Sequence, residues 1–262
     1  MAEVYGSPRP RRRWGRRLLA TLIVLLIIIG IILVVLDRFG ASYAERVIGD
    51  RVAEQVADQK ATSDKPDVTV EGVPFLTQVL AGKYQEIKIE LRNFSGPAGN
   101  GKTIKMPLLD IRAKDVRASL DTLRSRQGNI VATTVTGAGT IDYPQLTELI
   151  GQKGLTLKES GGKLVGAAPV QALGQTFNVT GAATLTVKNG IVQVRFSDVT
   201  AAGLPDVPLV RNIIDSYVQR LAVDLKVPEL PLKLEVQKVQ PTAAGLVVTA
   251  GAHDVPLNAG GL

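Results

Sequence analysis

The chain has 262 residues, a formal net charge of +7, no cysteine, one histidine and 4% aromatic residues. Residues 1–17 hold six arginines against one acid, Glu3. The remaining 25 bases and 23 acids nearly balance, which leaves little basis for a nucleic-acid-binding face. The missing cysteines exclude disulfides, thiolate metal sites and a cysteine nucleophile, and the lone histidine excludes histidine metal clusters.

The first element in the chain is Leu18–Leu36, LLATLIVLLIIIGIILVVL, 19 residues without a charge. As a helix it would be about 28 Å long, close to one hydrocarbon core. The arginines precede it and Asp37 and Arg38 follow, so the positive-inside rule places the N-terminus in the cytosol. Three parts are therefore expected. Residues 1–17 form a cytoplasmic arginine-rich tail, 18–36 a transmembrane helix, and 37–262 an extracytoplasmic domain of a single-pass cell-membrane protein. The alternative is a cleaved export signal, with Ser42-Tyr43-Ala44 as a small-x-small cleavage site. Both readings export the rest of the chain, whose fold then depends on its own core.

Ser42 to Gln59 reads as an amphipathic helix with Ala44, Val47, Ile48, Val52 and Val56 as its apolar stripe. Strands follow. Val68 and Val70 alternate with polar residues, and so do Ile87, Ile89 and Leu91; Leu109–Ala113 and Val116–Leu120 read as two more. One apolar and one wet face per strand is the pattern of an antiparallel sheet covered on one side. The segment Phe177–Val199 reads as a hairpin turning at Asn189-Gly190. That turn pairs Lys188 with Ile191 and puts Val187, Leu185 and Ala183 opposite Val192, Val194 and Phe196 on one face. A second long helix is expected over about Val207–Leu225, with Asp206 as cap and Pro208 in its first turn. Leu232, Leu234 and Val236 then begin a strand, and a turn at Pro241–Gly245 leads to a last strand at Leu246–Ala250.

Two short segments share the pattern P-x-L-T-[QE]-h-h: Pro74–Leu80 and Pro144–Ile150. A proline opens each and a glycine, Gly82 or Gly151, follows, so both are expected to be short helices between strands.

Gly96–Thr103 satisfies the phosphate-binding pattern G-x-x-x-x-G-K-[ST]. That chemistry needs a helix after the loop, but Pro107 and an alternating run follow instead. A glycine-rich hairpin loop is expected here, and no nucleotide. His253 near the chain end is expected at the surface rather than in a catalytic triad. Over residues 102–126 the bases outnumber the acids, and Arg112, Lys114 and Arg117 are candidates for holding lipid headgroups; the competing reading is a solvated strand face. The surplus of Val, Leu, Ile and Ala in strands and helix stripes suits an ordinary core. It equally suits a sheet curved around helices that leaves an apolar channel for acyl chains, at about 0.8 kcal/mol per buried methylene.

The run Asp67–Tyr84, DVTVEGVPFLTQVLAGKY, resembles the G-x-P-F-L-T-Q signature of the LmeA-like phospholipid-binding family of exported actinobacterial envelope proteins. The ending, Glu229–Leu232 through Gly245–Gly251 with Asp254-Val255 behind it, is similar to that family as well. The resemblance implies an α+β fold like the tubular lipid-binding proteins, a strongly curved antiparallel sheet wrapped on one or two long helices. It also implies phospholipid or phosphoinositide binding, a role in envelope lipid or lipoglycan assembly, and no catalytic residues or cofactor. With apolar spacing, it points to a channel lined at one end by Phe75, Leu76, Val79 and Leu80, and by Ile213, Ile214, Tyr217 and Leu221 of the second helix. The competing functions are a protein-binding envelope scaffold with a filled interior, and a hydrolase with facing carboxylates or a polarised serine.

Overall fold

A computed structural model describes residues 14–97, 101–125, 129–172, 175–188, 190–201, 216, 218, 222–226 and 234–257. Helix α1 (Trp14–Asp58) is one unbroken helix of 45 residues, about 67 Å long. The apolar run and the expected amphipathic helix are therefore a single rod, with no proline between them to part them. The part before Asp37 is exposed on every side. Beyond it, Asp37, Ala41, Gly49, Val52 and Val56 form a buried stripe at steps of four, eight, three and four residues. Val47, expected in that stripe, is exposed. Small residues choose the contact face: a Cβ on Gly49 would lie 3.4 Å from the Pro66 carbonyl oxygen, so the rod lies close against the chain entering the sheet.

Two antiparallel sheets follow. The first has six strands: β1 (Asp67–Glu71), β2 (Lys83–Pro97), β3 (Thr103–Arg117), β4 (Val131–Ile141), β10 (Glu235–Thr242) and β11 (Gly245–Pro256). Their order is β1-β2-β3-β4-β11-β10. The second sheet has five strands in sequence order: β5 (Thr156–Ser160), β6 (Lys163–Ala172), β7 (Gln175–Lys188), β8 (Ile191–Ala201) and β9 (Val223–Lys226). The α+β class and the antiparallel, curled sheet are as expected, divided into two sheets. Strand β10 lies against β5, β7 and β8, and one core runs through both sheets. Three short helices, α2 (Phe75–Ala81), α3 (Leu120–Ser125) and α4 (Tyr143–Ile150), connect strands.

The long β2–β3 hairpin shows how the first sheet curls. Its buried pairs are Tyr84 with Val116, then Ile87, Ile89 and Leu91 with Ala113, Ile111 and Leu109, then Phe94 with Met106. The buried positions change parity twice along each strand while the pairing register holds. Asn93 and Asp115 sit near these changes with positive φ, 51° each. Each half-turn of local twist keeps the apolar side chains inward as the sheet bends. Val116 therefore belongs to the same strand as Ala113, and Leu120, expected in a strand, opens α3.

The β7–β8 hairpin has the expected register, Lys188 with Ile191 through Ala183 with Phe196. Gly190 lies at φ 71°, as the turn requires. Of the expected second helix, Ser216 and Val218 are helical, whereas Val223–Lys226 is strand β9 on the edge of β8. The ladder to β8 and the Arg195–Asp224 ion pair at 2.6 Å claim this segment, so the helical pattern stops short of Leu225.

The chain directions give the molecule two ends. Val70 N donates to Glu45 Oε1 at 3.0 Å, and Leu76 N to Asp37 Oδ1 at 2.7 Å. From Pro66 to Leu76 the chain thus descends along α1 toward the apolar run. Strand β2 climbs back, and Ser95 bridges to Thr62 beyond the far end of α1. Helix α2 and the β3–α3 turn close the lower end; the β2–β3 tip and α4 lie at the upper.

Candidate functional site

The signature segment is fastened to the first residue after the apolar run. Pro74 occupies the N-cap of α2 and offers no side-chain acceptor. Asp37, 5% exposed, supplies it from 39 residues away, accepting from Leu76 N. That bond above all, with a second from Phe75 N and the Arg38 guanidinium at 3.2 Å, holds the Asp37 carboxyl below its ordinary range. The related helix α4 caps itself, with Asp142 Oδ1 accepting from Gln145 N at 2.7 Å. Both helices end on glycine in the left-handed region, as their shared pattern suggests.

Gln78 is the second fastening. Its Nε2 donates to the Gly72 and Glu71 carbonyls at 2.8 and 3.2 Å, and its Oε1 accepts from Gln85 N at 2.9 Å. One buried amide thereby joins the end of β1, α2 and the start of β2. Phe75 is buried against Gly40 and Tyr84, with ring centroids 6.2 Å apart in the tyrosine contact. Leu76 and Val79 are half-buried, and Leu80 is exposed. The four residues expected at one end of a channel thus share α2, two facing inward in part and one facing out. Ile213, Ile214, Tyr217 and Leu221 lie outside the described residues.

Sequence reasoning missed Tyr84. It is 7% exposed, and its hydroxyl has no hydrogen-bond partner among the described residues. Burial pushes its pKa up. Its position directly after the signature, at the foot of β2, is the signal that could have found it.

The headgroup candidates divide. Arg112 bonds Asp110 at 3.2 Å and Glu86 at 3.3 Å, and Lys114 lies 3.9 Å from Glu86. With Lys88, Glu90 and Arg92 they form a solvated ladder of alternating charge. Arg117 stands apart at the lower end, across from Lys83. Among the described residues neither has a carboxylate within ion-pair distance.

The apolar interior is closely filled where it is described. In the second sheet, Leu155, Gly166, Ala168, Val179, Gly181, Phe196, Val199 and the helical Val218 enclose a recess of about 10 Å³. That is room for about one water. In the first sheet, Met106 covers Gly139 and Leu234 covers Gly137. At the upper end a polar surface groove of about 460 Å³ runs past Asn93, Ser95, Lys105, Asp142 and Glu148.

The Gly96–Thr103 match is the tip of the β2–β3 hairpin. Pro97 pairs with Thr103, strand rather than helix follows, and Lys102 donates to the Leu149 carbonyl at the end of α4. His253 is exposed on β11, with Nδ1 3.5 Å from Thr134 Oγ1. Among the described residues no three potential ligands gather as a metal site.

A family model described as LmeA-like phospholipid-binding matches residues 35–251. The chain belongs to this family. The match begins within the last turn of the apolar run and takes in Asp37, the signature, both sheets and most of β11. The family is a lipid-binding one, and phospholipid and membrane partners go with it. No curated protein and no solved structure matches the chain.

Proposed function

We propose that this is a membrane-anchored, extracytoplasmic phospholipid-binding protein that supports assembly of the cell envelope and carries out no chemistry. The observation that carries this reading is the clasp between Asp37 and the signature helix. It fixes the family's signature to the residue that leaves the apolar run. Cleavage after Ala44 would remove Asp37, the distant cap of α2, and Ala41 from the buried stripe. These contacts support reading the apolar run as a retained anchor. The arginines before it support a cytosolic N-terminus and a domain outside the cytosol.

In this reading acyl chains lie between the inner face of the second sheet and Val218, reaching down toward Phe75, Leu76 and Val79. Gly166, Ala168 and Gly181 keep that face low, and Phe196, Val199 and Val218 fill the space above it. An acyl chain needs far more room than one water, so lipid enters as these side chains part from the sheet. The unpartnered Tyr84 hydroxyl is the donor we assign to an ester or phosphate oxygen. A phosphoinositide is one candidate head; Arg117 and Lys83 would bind any anionic phosphate.

Phospholipid carrying a photoreactive group late in its acyl chain tests this in membranes containing the full chain. Crosslinks on β6, β7 and β8 support it. Crosslinks confined to residues 18–36 sink it. The closely filled recess favours a second reading, a solid scaffold that binds other envelope proteins, and it predicts the confined pattern.

A further inference from the structure

Resting on the reading that residues 18–36 cross the membrane, we infer that the lower end of the first sheet is a bilayer-docking surface. Its parts are apolar contacts from Val73, Leu80 and Leu120 and a phosphate-binding pair, Lys83 and Arg117. Height comes first. Asp37 is the residue after the apolar run, and its carboxylate holds Leu76 N at 2.7 Å. Helix α2 therefore sits at the edge of the hydrocarbon, within a polar layer roughly 5–7 Å deep on each side.

Direction comes second. Strand β1 descends to Glu71 and β2 climbs from Lys83, so residues 72–82 make the base of the sheet. Strand β3 also descends, and Ala118 N donates to the Gly82 carbonyl at 3.0 Å, which brings Leu120 to the same base. The apolar groups here face outward: Val73 is 75% exposed, Leu80 79% and Leu120 39%.

Around α1 the same height carries Phe39 and Tyr43, 76% and 64% exposed. They lie on the side of the helix away from buried Asp37 and Ala41, since residues two apart on a helix are about 200° apart. Exposed aromatics within two turns of a membrane span occupy the interfacial belt. The apolar ring at this level is thus continuous with the span, and a bilayer is the surface that covers all of it. The charges agree: Lys83 and Arg117 face each other across β2 and β3 at this end, both exposed and unpaired by carboxylates among the described residues. Each such base is attracted to an anionic leaflet. A phospholipid would then pass between leaflet and protein at α2 without crossing water.

Fluorescence quenching tests this with the full chain in vesicles of equal parts phosphatidylcholine and phosphatidylglycerol, brominated near the headgroup end of their acyl chains. Trp14 is the only tryptophan, so a Trp14→Phe background leaves each introduced probe alone. Leu80→Trp is expected to be blue-shifted and quenched to at least about half the extent of Leu26→Trp in the span. Asp58→Trp, about 33 Å beyond the span, stays unquenched. Adding Lys83→Glu and Arg117→Glu should lower the Leu80→Trp quenching severalfold in the mixed vesicles and leave it unchanged in brominated phosphatidylcholine alone. Quenching of Leu26→Trp with none of Leu80→Trp would overturn the docking surface while leaving the anchor, and lipid binding by the domain, in place. Quenching indifferent to the charge reversals would overturn the role of the basic pair.

Discussion

Asp37 joins two features that lie 39 residues apart, the end of the apolar run and the start of the signature helix. Asp37→Ala removes the acceptor for Leu76 N, and residues 75–82 should then lose amide-exchange protection while the β7–β8 hairpin keeps its own. The pH dependence follows from the direction of the shift. The Asp37 carboxyl is held below its ordinary range, so the clasp contributes fully above pH about 4, where an unfolded-chain aspartate is ionised. It is lost as the pH falls through the lowered native value. Exchange in α2 that rises near neutral pH, with the rest of the fold intact, would contradict this. Gln78 commits both amide hydrogens and one oxygen lone pair to its three bonds, so Gln78→Leu strands part-buried backbone groups and should destabilise the protein by about 1–3 kcal/mol in chemical denaturation. Tyr84 predicts the opposite sign. Removing an unpartnered buried hydroxyl, Tyr84→Phe should leave the lipid-free protein as stable or up to about 1 kcal/mol more so. The same variant should retain less phospholipid; unchanged retention would remove the hydroxyl from the proposed site.

Among the elements, those set by short-range rules were legible and those set by long-range contact were not. The β7–β8 register could be read because a two-residue turn and an alternating pattern each fix it. Gly190→Val forces a β-branched residue to φ near 71° and should cost about 1–2 kcal/mol, read as a lower unfolding midpoint. The face of α1 was misread at Val47 because the burying surface is built on Ala41 and Gly49, which carry no hydrophobic weight in a periodicity count. The parity changes of β2 and β3 at Asn93 and Asp115 broke one strand pattern into what looked like two. Strand β9 was read as helix because an edge strand of four residues has too little alternation to announce itself. Strand β4, rich in threonine, alanine and glycine, β6, rich in alanine, and the five-residue β5 were passed over for the same lack of contrast.

For the whole molecule, the sequence showed the apolar run and the family signature, and the structure adds that Asp37 ties the two together. Of the site residues expected from sequence, Phe75, Leu76, Val79 and Leu80 lie together on α2, and Arg117 is exposed at the same end of the sheet. Arg112 and Lys114 could not be judged from sequence, because Glu86 reaches them only across the folded sheet. The channel was not legible at all, since aliphatic residues that pack solidly and those that part around a lipid have the same composition. In the described residues they pack, leaving about 10 Å³ between Phe196, Val218 and the small residues of β6 and β7. The central claim is that this face opens to an acyl chain, and crosslinking with acyl-photoreactive phospholipid in membranes reports on it most directly. The account predicts adducts on the inward residues Ala168, Val179, Phe196 and Val199. Adducts found on the α1 rod between Leu18 and Leu36 and nowhere on the second sheet would contradict it.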